Sequence, residues 1–158
     1  MELLVGCIVI TILVASLIIA TIFYMQKNDR KEKVQCEKML MDVFEMQIKQ
    51  PELSLVYDAV KNSATPEMIE QYELKKEPFV IYVLSVFDLV VDYYFGRSLF
   101  AAKDPVMKEA WVNTVKNFYR DSTDGRNIYL SHRDEFNARF QKFSDELMMR
   151  IESEGGIQ

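Results

Sequence analysis

Two aspartates are the best-placed candidates for chemistry in this sequence. Asp88 and Asp92 lie four residues apart in an otherwise apolar stretch, so a helix would place both carboxylates on one face, one turn apart. A carboxylate pair in a dry site could transfer protons or hold a cation. The alternative is a narrow polar strip shared with Ser85, or an ion pair with Arg97 or another basic residue. We favour this alternative, because carboxylate pairs are common on solvated helix faces.

Tyrosines near this pair could supply hydroxyl groups to such a site. Tyrosines at helical spacing more often lie in a core with a polar tip, so the same residues also fit a purely structural role. The candidates are Tyr57, Tyr82, Tyr93 and Tyr94.

The single histidine does not complete a metal or catalytic site. His132 and Glu135 could share a helix face, but a di-metal site of the Glu-x-x-His type needs two histidines and several carboxylates. The sequence also contains no glycine-rich phosphate loop, no paired-cysteine motif and no G-x-S-x-G. We therefore expect His132 to be an exposed residue in the first turn of a helix. We expect no enzymatic activity, no cofactor and no metal.

The first element of the chain is a long apolar run. Residues 3–25 contain no charged side chain. As a helix this run would measure about 34 Å, and a bilayer core of about 30 Å needs around 20 apolar residues. A cleaved signal peptide would begin with basic residues, have a shorter apolar run and end in small residues. We therefore predict a retained membrane-spanning anchor over residues 1–25.

Basic residues directly after the run predict its orientation. Segment 26–33 carries four Lys or Arg residues, whereas none precedes the run. The side richer in Lys and Arg stays in the cytoplasm. We predict a single-pass protein of the inner (plasma) membrane, with the N-terminus outside and the C-terminal domain cytoplasmic. The basic residues of this juxtamembrane stalk are Lys27, Arg30, Lys31 and Lys33.

Charge and cysteine content indicate which classes of binding partner and which cellular compartment fit the chain. Residues 34–158 contain 15 basic and 21 acidic residues, which argues against nucleic acid as a partner. The expected partners are the lipid bilayer and another membrane or cytosolic protein, with a homo-oligomer left open. Cys7 and Cys36 lie too far apart along a helix for a disulfide, which fits a reducing compartment. Cys36 is either a palmitoylation candidate or, as we favour, a buried or idle thiol.

Apolar spacing predicts an all-α fold. No segment alternates with period two, so we expect one transmembrane helix followed by a cytosolic bundle of about five helices over residues 34–152. Residues 153–158 would form a flexible tail, and residues 121–125 a loop. Helix starts are predicted at Pro51, at Thr65-Pro66, at Pro78, at Asp104-Pro105, and at Ser131 through a capping box with Asp134.

The stretch after Pro78 is the most apolar part of the predicted domain. Its apolar residues surround the helix, as in a central, buried helix. Residues 79–95 would barely span a bilayer, and Asp88 and Asp92 would each cost about 2.5–3.5 kcal/mol near its centre. We therefore assign this helix to the core, ended by Gly96.

The order of these features resembles that of a known class of protein. An N-terminal span and basic stalk precede PELSLVYDAV, a Phe- and Tyr-rich central helix, EAWVNTVKNFY and DEFNARFQKF. This order is similar to that of small bacterial membrane-anchored helical proteins carrying a domain of unknown function. The resemblance implies the topology and the helical fold, and it implies no activity.

The sequence leaves three hypotheses for function. The first is a non-catalytic accessory or scaffold subunit of a membrane complex, whose helical domain binds another protein. The second is a membrane-tethered ligand-sensing or defence-type module that acts as a homo-oligomer and contains an enclosed pocket. The third is a membrane-tethered enzyme that uses Asp88 and Asp92. We rank them in this order, because no complete catalytic site is recognisable.

Overall fold

The structure, a computed structural model, describes residues 2–97 and 104–155, except for the side chains of residues 2–15 and of Arg97. Two compact units make up the chain, residues 1–35 and residues 36–158. All regular secondary structure in the described ranges is helical, and no strand occurs there. The predicted all-α class is therefore confirmed.

One helix, α1, accounts for the described part of the first unit. It spans Glu2–Lys49 and so continues into the second unit. From Leu17 to Met25 the side chains are exposed, and so are the four basic residues of the juxtamembrane stalk. Side chains before Ser16, including Cys7 and most of those in the predicted anchor, lie outside the described residues.

The second unit begins with the C-terminal part of α1. Cys36 and Val43 on this part are buried in the core, and the helix ends at Lys49, as predicted from Pro51. The single helix predicted after Pro51 is wrong. A 3₁₀ helix over Pro51–Val56 and a single turn, α2 (Asp58–Lys61), replace it, because Tyr57 between them has an extended backbone.

Helix α3 spans Pro66–Asp92 and begins as predicted. The Thr65 side chain accepts a hydrogen bond from the Met68 backbone N–H at 3.3 Å. The helix start predicted at Pro78 is wrong, since Pro78 lies inside α3. Proline leaves the carbonyl four residues earlier without its helical partner. Leu74 and Pro78 are both exposed, so this carbonyl lies on a side of the helix that water reaches.

The second half of α3 forms the centre of the domain. Val80, Leu84, Val86, Val90 and Val91 are almost completely buried and point around much of the helix. Among the described residues, Pro66–Gly96 is the helical stretch long and apolar enough to cross a membrane by length and composition, yet 56% of its most apolar window is buried within the structure. This burial agrees with the prediction of a core helix. Instead of stopping at Gly96, the chain forms a π-helical turn over Tyr93–Arg97.

Helix α4 spans Pro105–Asp121 and also begins as predicted. The Asp104 carboxylate accepts a hydrogen bond from the Met107 backbone N–H at 3.0 Å. Its side chains Trp111, Val115 and Phe118 are buried, whereas Met107 and Ala110 near its start are exposed. The buried stripe therefore covers the C-terminal two-thirds of α4.

Helix α5 spans Thr123–His132, where the sequence predicted a loop over residues 121–125. The connection from α4 is a single residue, Ser122, whose hydroxyl accepts a hydrogen bond from the Gly125 backbone N–H at 2.8 Å. Gly125 lies in the first turn of α5, close against the Phe118 ring. The prediction failed because a cap followed by a glycine resembles a loop in sequence.

Helix α6 spans Ala138–Ser153 and is capped by Asn137, whose side-chain oxygen accepts from the Phe140 backbone N–H at 2.9 Å. The predicted capping box of Ser131 and Asp134 is wrong. Ser131 lies in the last turn of α5 and donates its hydroxyl to the Asn127 carbonyl, and a 3₁₀ turn over Arg133–Glu135 follows. The apolar residues of this last segment are buried or half-buried: Phe136, Phe140, Phe143, Leu147 and Ile151.

Replacing Gly125 with alanine tests the α4–α5 contact. An added Cβ would lie 2.6 Å from the Phe118 ring and 2.8 Å from the Ser122 hydroxyl, so the buried ring would have to move. We expect Gly125→Ala to lower the free energy of unfolding by about 1–3 kcal/mol, measured by urea denaturation of the full-length chain. Ser131→Ala on the same helix is the control and should change stability by less than about 0.5 kcal/mol. Equal stability of the two variants would contradict this packing.

Candidate functional site

Asp88 and Asp92 share one face of α3 as predicted, and each bonds to the start of α6. Asp88 accepts hydrogen bonds from the Asn137 side-chain amide and from its backbone N–H, the latter at 3.4 Å. Asp92 pairs with Arg139, with 2.5 Å between Oδ1 and Nη1. Burial, and secondarily the charge of Asp92, raises the pKa of Asp88. Both carboxylates therefore anchor α6, while the side chain of Arg97, the other proposed partner, lies outside the described residues.

The four candidate tyrosines do not converge on this pair. The Tyr82 hydroxyl donates to Asp42 at 3.5 Å. Tyr93 and Tyr94 pack edge to face at 4.8 Å between ring centroids, and Tyr94 continues onto Trp111. Tyr57 packs against Phe118. Tyr93 and Tyr94 are buried in the core, whereas Tyr82 is half-buried and Tyr57 is partly exposed.

His132 occupies a different position from the predicted one. It lies in the last turn of α5, not the first turn of a helix, and it is bonded to two carboxylates. Its Nδ1 lies 2.8 Å from Glu135 and its Nε2 lies 3.0 Å from Glu77. Hydrogen bonds to Glu135 and then Glu77 raise the pKa of His132. His132 thus forms a clasp between α3 and the end of α5.

A polar cluster that sequence reasoning missed lies where α2, α3 and α5 meet. Asp124 accepts hydrogen bonds from the Tyr72 hydroxyl at 2.7 Å and from the Lys61 ammonium at 2.9 Å. Asp58 binds Lys61 at 3.1 Å and accepts from the Thr123 backbone N–H at 2.8 Å. Burial opposes the charge of Asp58, but the bonds from Thr123 and Lys61 outweigh it and lower its pKa. The sequence did not predict this cluster because residues 121–125 were expected to form a loop, whereas Thr123 and Asp124 belong to the first turn of α5.

A second missed network links α5 to α6. The Tyr129 hydroxyl donates to Asp145 at 3.0 Å, and Arg133 binds the same carboxylate at 2.7 Å. Nearby, the buried Tyr119 hydroxyl donates to Ser144 at 3.0 Å, and burial raises the pKa of Tyr119. Each hydroxyl has a partner, as buried polar groups require. These contacts join α4 and α5 to α6.

The second unit contains an apolar cleft. It lies between the C-terminal part of α1 and the C-terminal half of α4, and α3 forms its floor. The cavity volume is about 70 Å³. The lining is apolar except for Gln47, Tyr57 and Thr114. Its other residues are Leu40, Val43, Phe44, Val56, Phe79, Val83, Val86, Phe87 and Phe118.

Apolar side chains continue from the cleft onto the exposed surface of α1. Phe44 in the wall is 51% exposed, and Met41 and Ile48 beside it are 65% and 79% exposed. These three residues follow each other at steps of three and four, so they share one face of the helix. Burial, and secondarily the charge of Asp121, raises the pKa of Tyr57 at the mouth of the cleft. The cleft and this face form one apolar surface that opens to solvent.

The described residues give no sign of a metal centre. Within residues 2–97 and 104–155, no group of three or more His, Cys, Asp or Glu side chains is placed to hold a metal ion. Comparisons of the chain with models of protein families, with curated proteins and with solved structures found no match. The resemblance to bacterial membrane-anchored helical proteins therefore stays a prediction.

The His132 clasp predicts a pH dependence of stability. Because Glu135 and Glu77 raise the pKa of His132 above 6.5, its stabilising contribution is full below the unfolded-state pKa and is lost as the pH rises through the folded-state pKa. Relative to His132→Gln, the wild-type urea midpoint should fall over that window. An NMR titration of the imidazole gives the folded-state pKa, which Glu77→Gln should lower. An imidazole pKa unchanged by Glu77→Gln would contradict the clasp.

The Tyr72–Asp124 hydrogen bond should contribute measurably to stability. The Tyr72 ring is buried and its hydroxyl donates to a carboxylate, so Tyr72→Phe leaves that carboxylate with one donor fewer. We expect a loss of about 1–3 kcal/mol in the free energy of unfolding. Tyr57→Phe is the matched control, because its hydroxyl lies at an open cleft, and it should cost much less. Equal losses of unfolding free energy in the two variants would show that the hydrogen bond to Asp124 does not stabilise the domain.

Proposed function

We propose that this chain is a single-pass membrane protein whose helical domain binds another protein, as an accessory or scaffold subunit of a membrane complex without catalytic activity of its own. The N-terminus lies outside and the domain in the cytoplasm. The observation that carries the proposal is the continuous apolar surface of the cleft and of the α1 face with Met41, Phe44 and Ile48.

Extended apolar surfaces on a folded domain commonly mark interaction sites. On α1, Phe44 and its neighbours are exposed although the domain has a well-filled core in which to bury apolar residues. A ligand-sensing module would need an enclosed pocket that holds its ligand, and the cavity volume of this cleft is only about 70 Å³, less than a benzene ring occupies. The small volume therefore supports the interaction hypothesis over the sensor hypothesis.

The uncharged N-terminal run supports the membrane part of the proposal. Leu17, Phe23 and Tyr24 are exposed on α1, which suits a helix surrounded by lipid and not one in water. The Thr21 hydroxyl returns to the Leu17 carbonyl at 2.8 Å, so this polar group is satisfied within its own helix. The basic stalk that follows is exposed and supports the proposed orientation.

The orientation can be tested with C-terminal reporter fusions. Alkaline phosphatase should be inactive and a cytoplasmic fluorescent protein active at the C-terminus of the wild type. Replacing the four basic stalk residues with Gln should remove the bias and produce phosphatase activity, because these charges determine the side that stays inside. The matched control replaces four basic residues of the domain and should keep the wild-type pattern: Lys76, Lys108, Lys142 and Arg150. An active phosphatase on the wild type would overturn the orientation.

Co-purification tests the accessory role itself. The tagged full-length chain is extracted from its native membrane with a gentle detergent, and mass spectrometry identifies and quantifies what accompanies it. One or two proteins at near-equal stoichiometry are expected. Recovery of the chain alone, as a monomer or as a homo-oligomer, would overturn the proposal.

A further inference from the structure

We propose that three basic residues just after the apolar run bind the phosphate groups of anionic phospholipids. Lys27, Arg30 and Lys31 form this basic face of α1. The inference rests on the proposed membrane span and adds to it the class of lipid that the chain selects.

The basic face lies on one side of a continuous helix. Arg30 and Lys31 follow Lys27 by three and four positions within α1, so both lie one turn beyond it. All three side chains are exposed. Tyr24, one turn before Lys27, is 74% exposed. This side of the helix therefore presents three cations and a phenol to its surroundings.

The acidic residues of the same segment do not share the basic face. At about 100° per residue, Asp29 and Glu32 lie on the other side of the helix, where both are half-buried. Glu32 accepts a hydrogen bond from the Asn28 side-chain amide at 2.8 Å. The fourth basic residue, Lys33, lies opposite Lys31 and has an interaction of its own. The charges of this segment are therefore segregated around the helix.

No carboxylate lies within helical reach of the basic face. Side chains on a helix pair with those three or four positions away, and at these positions from Lys27, Arg30 and Lys31 the sequence has neither Asp nor Glu. Among the residues that the structure describes, none of the three makes an ion pair. By contrast, Lys49 on the same helix binds Glu45 at 2.5 Å. Lys27 and Lys31, four positions apart, repel each other, and a bound anion would offset this repulsion.

The basic face lies at the depth of the lipid headgroups in the proposed span. Lys27 is about 3 Å and Lys31 about 9 Å beyond Met25 along the helix axis, where the apolar run ends. The headgroup layer on each side of the hydrocarbon core is about 5–8 Å thick. Long, flexible side chains at this depth reach phosphate groups. The exposed ring of Tyr24 suits the boundary between hydrocarbon and headgroups.

The chemistry of the basic face favours an anionic headgroup over a zwitterionic one. A guanidinium binds phosphate oxygens through two N–H groups, and an ammonium adds a point charge. Phosphatidylcholine has a cation beside its phosphate, so it cannot neutralise three unpaired positive charges, whereas phosphatidylglycerol has a net negative charge. An acidic protein segment is a poorer occupant, because it would have to displace the headgroups that surround this part of α1.

The lipid selectivity of the full-length chain tests the proposal. The protein is reconstituted in phosphatidylcholine bilayers with a trace of phosphatidylglycerol or phosphatidylcholine, spin-labelled on the acyl chain. Electron spin resonance then gives the fraction of each labelled lipid that the protein immobilises. At low salt phosphatidylglycerol should associate about fivefold more strongly than phosphatidylcholine, and high salt should reduce this preference by screening the charges. Equal association of the two lipids with the wild type would overturn the proposal, and an acidic protein as the occupant would give that result.

A matched pair of variants separates the basic face from a general effect of charge. Lys31→Gln should lower the preference for phosphatidylglycerol about threefold, whereas Lys33→Gln, at nearly the same depth but on the opposite side, should leave it nearly unchanged. Each variant keeps three basic residues after the span, so the orientation signal is the same in both. Lys31→Arg keeps the charge and should retain the preference. Equal losses in Lys31→Gln and Lys33→Gln would overturn the basic face as the site.

Failure of this inference differs from failure of the proposed function. If the wild type immobilises both labelled lipids equally, the span stands and the basic face does not select lipid. If it immobilises neither, the chain does not span the bilayer and the proposed function itself fails.

Discussion

The domain depends on covering the second half of α3. Its valines and leucines point around much of the helix, so no single neighbour can remove them from water. The C-terminal part of α1, the 3₁₀ segment Pro51–Val56, α4, α5 and α6 together supply that cover. Polar contacts then fix the register of these elements. Asp88 and Asp92 attach the start of α6, and the Asp124 cluster attaches α2 and the start of α5.

Long-range apolar pattern predicted the fold better than local signals predicted its connections. The all-helical class, the central helix and the caps at Thr65 and Asp104 followed from spacing and from cap-proline pairs. Pro78 did not break α3, because the carbonyl it leaves unbonded lies on the exposed side and costs little. Ser131 resembled a helix start as closely as Asn137 did, and packing decided between them. A local motif such as a cap or a proline shows only which structure a residue can form. The burial of the apolar residues around it decides which structure forms.

The candidate site was also predicted only where sequence spacing was sufficient. The shared face of Asp88 and Asp92 was predictable from their spacing, but their partners on α6 lie 47 and 49 positions away in sequence. The cleft could not be predicted, since Phe44 and Thr114 meet only after α1 and α4 have packed on α3. One signal was available: Met41, Phe44 and Ile48 follow each other at steps of three and four, so α1 carries more apolar surface than its core contacts use.

Cys36 has a consequence for how the motion of α1 can be followed. Cys36 belongs to α1 and is 2% exposed, so a thiol reagent can reach it only when that part of the helix moves away from the core. The labelling rate of Cys36 therefore reports the opening equilibrium of this part of α1, much as amide exchange reports local unfolding. Any enzyme that acylates this cysteine faces the same opening step. A protein seated on the outer face of α1 would hold the helix down and slow both reactions.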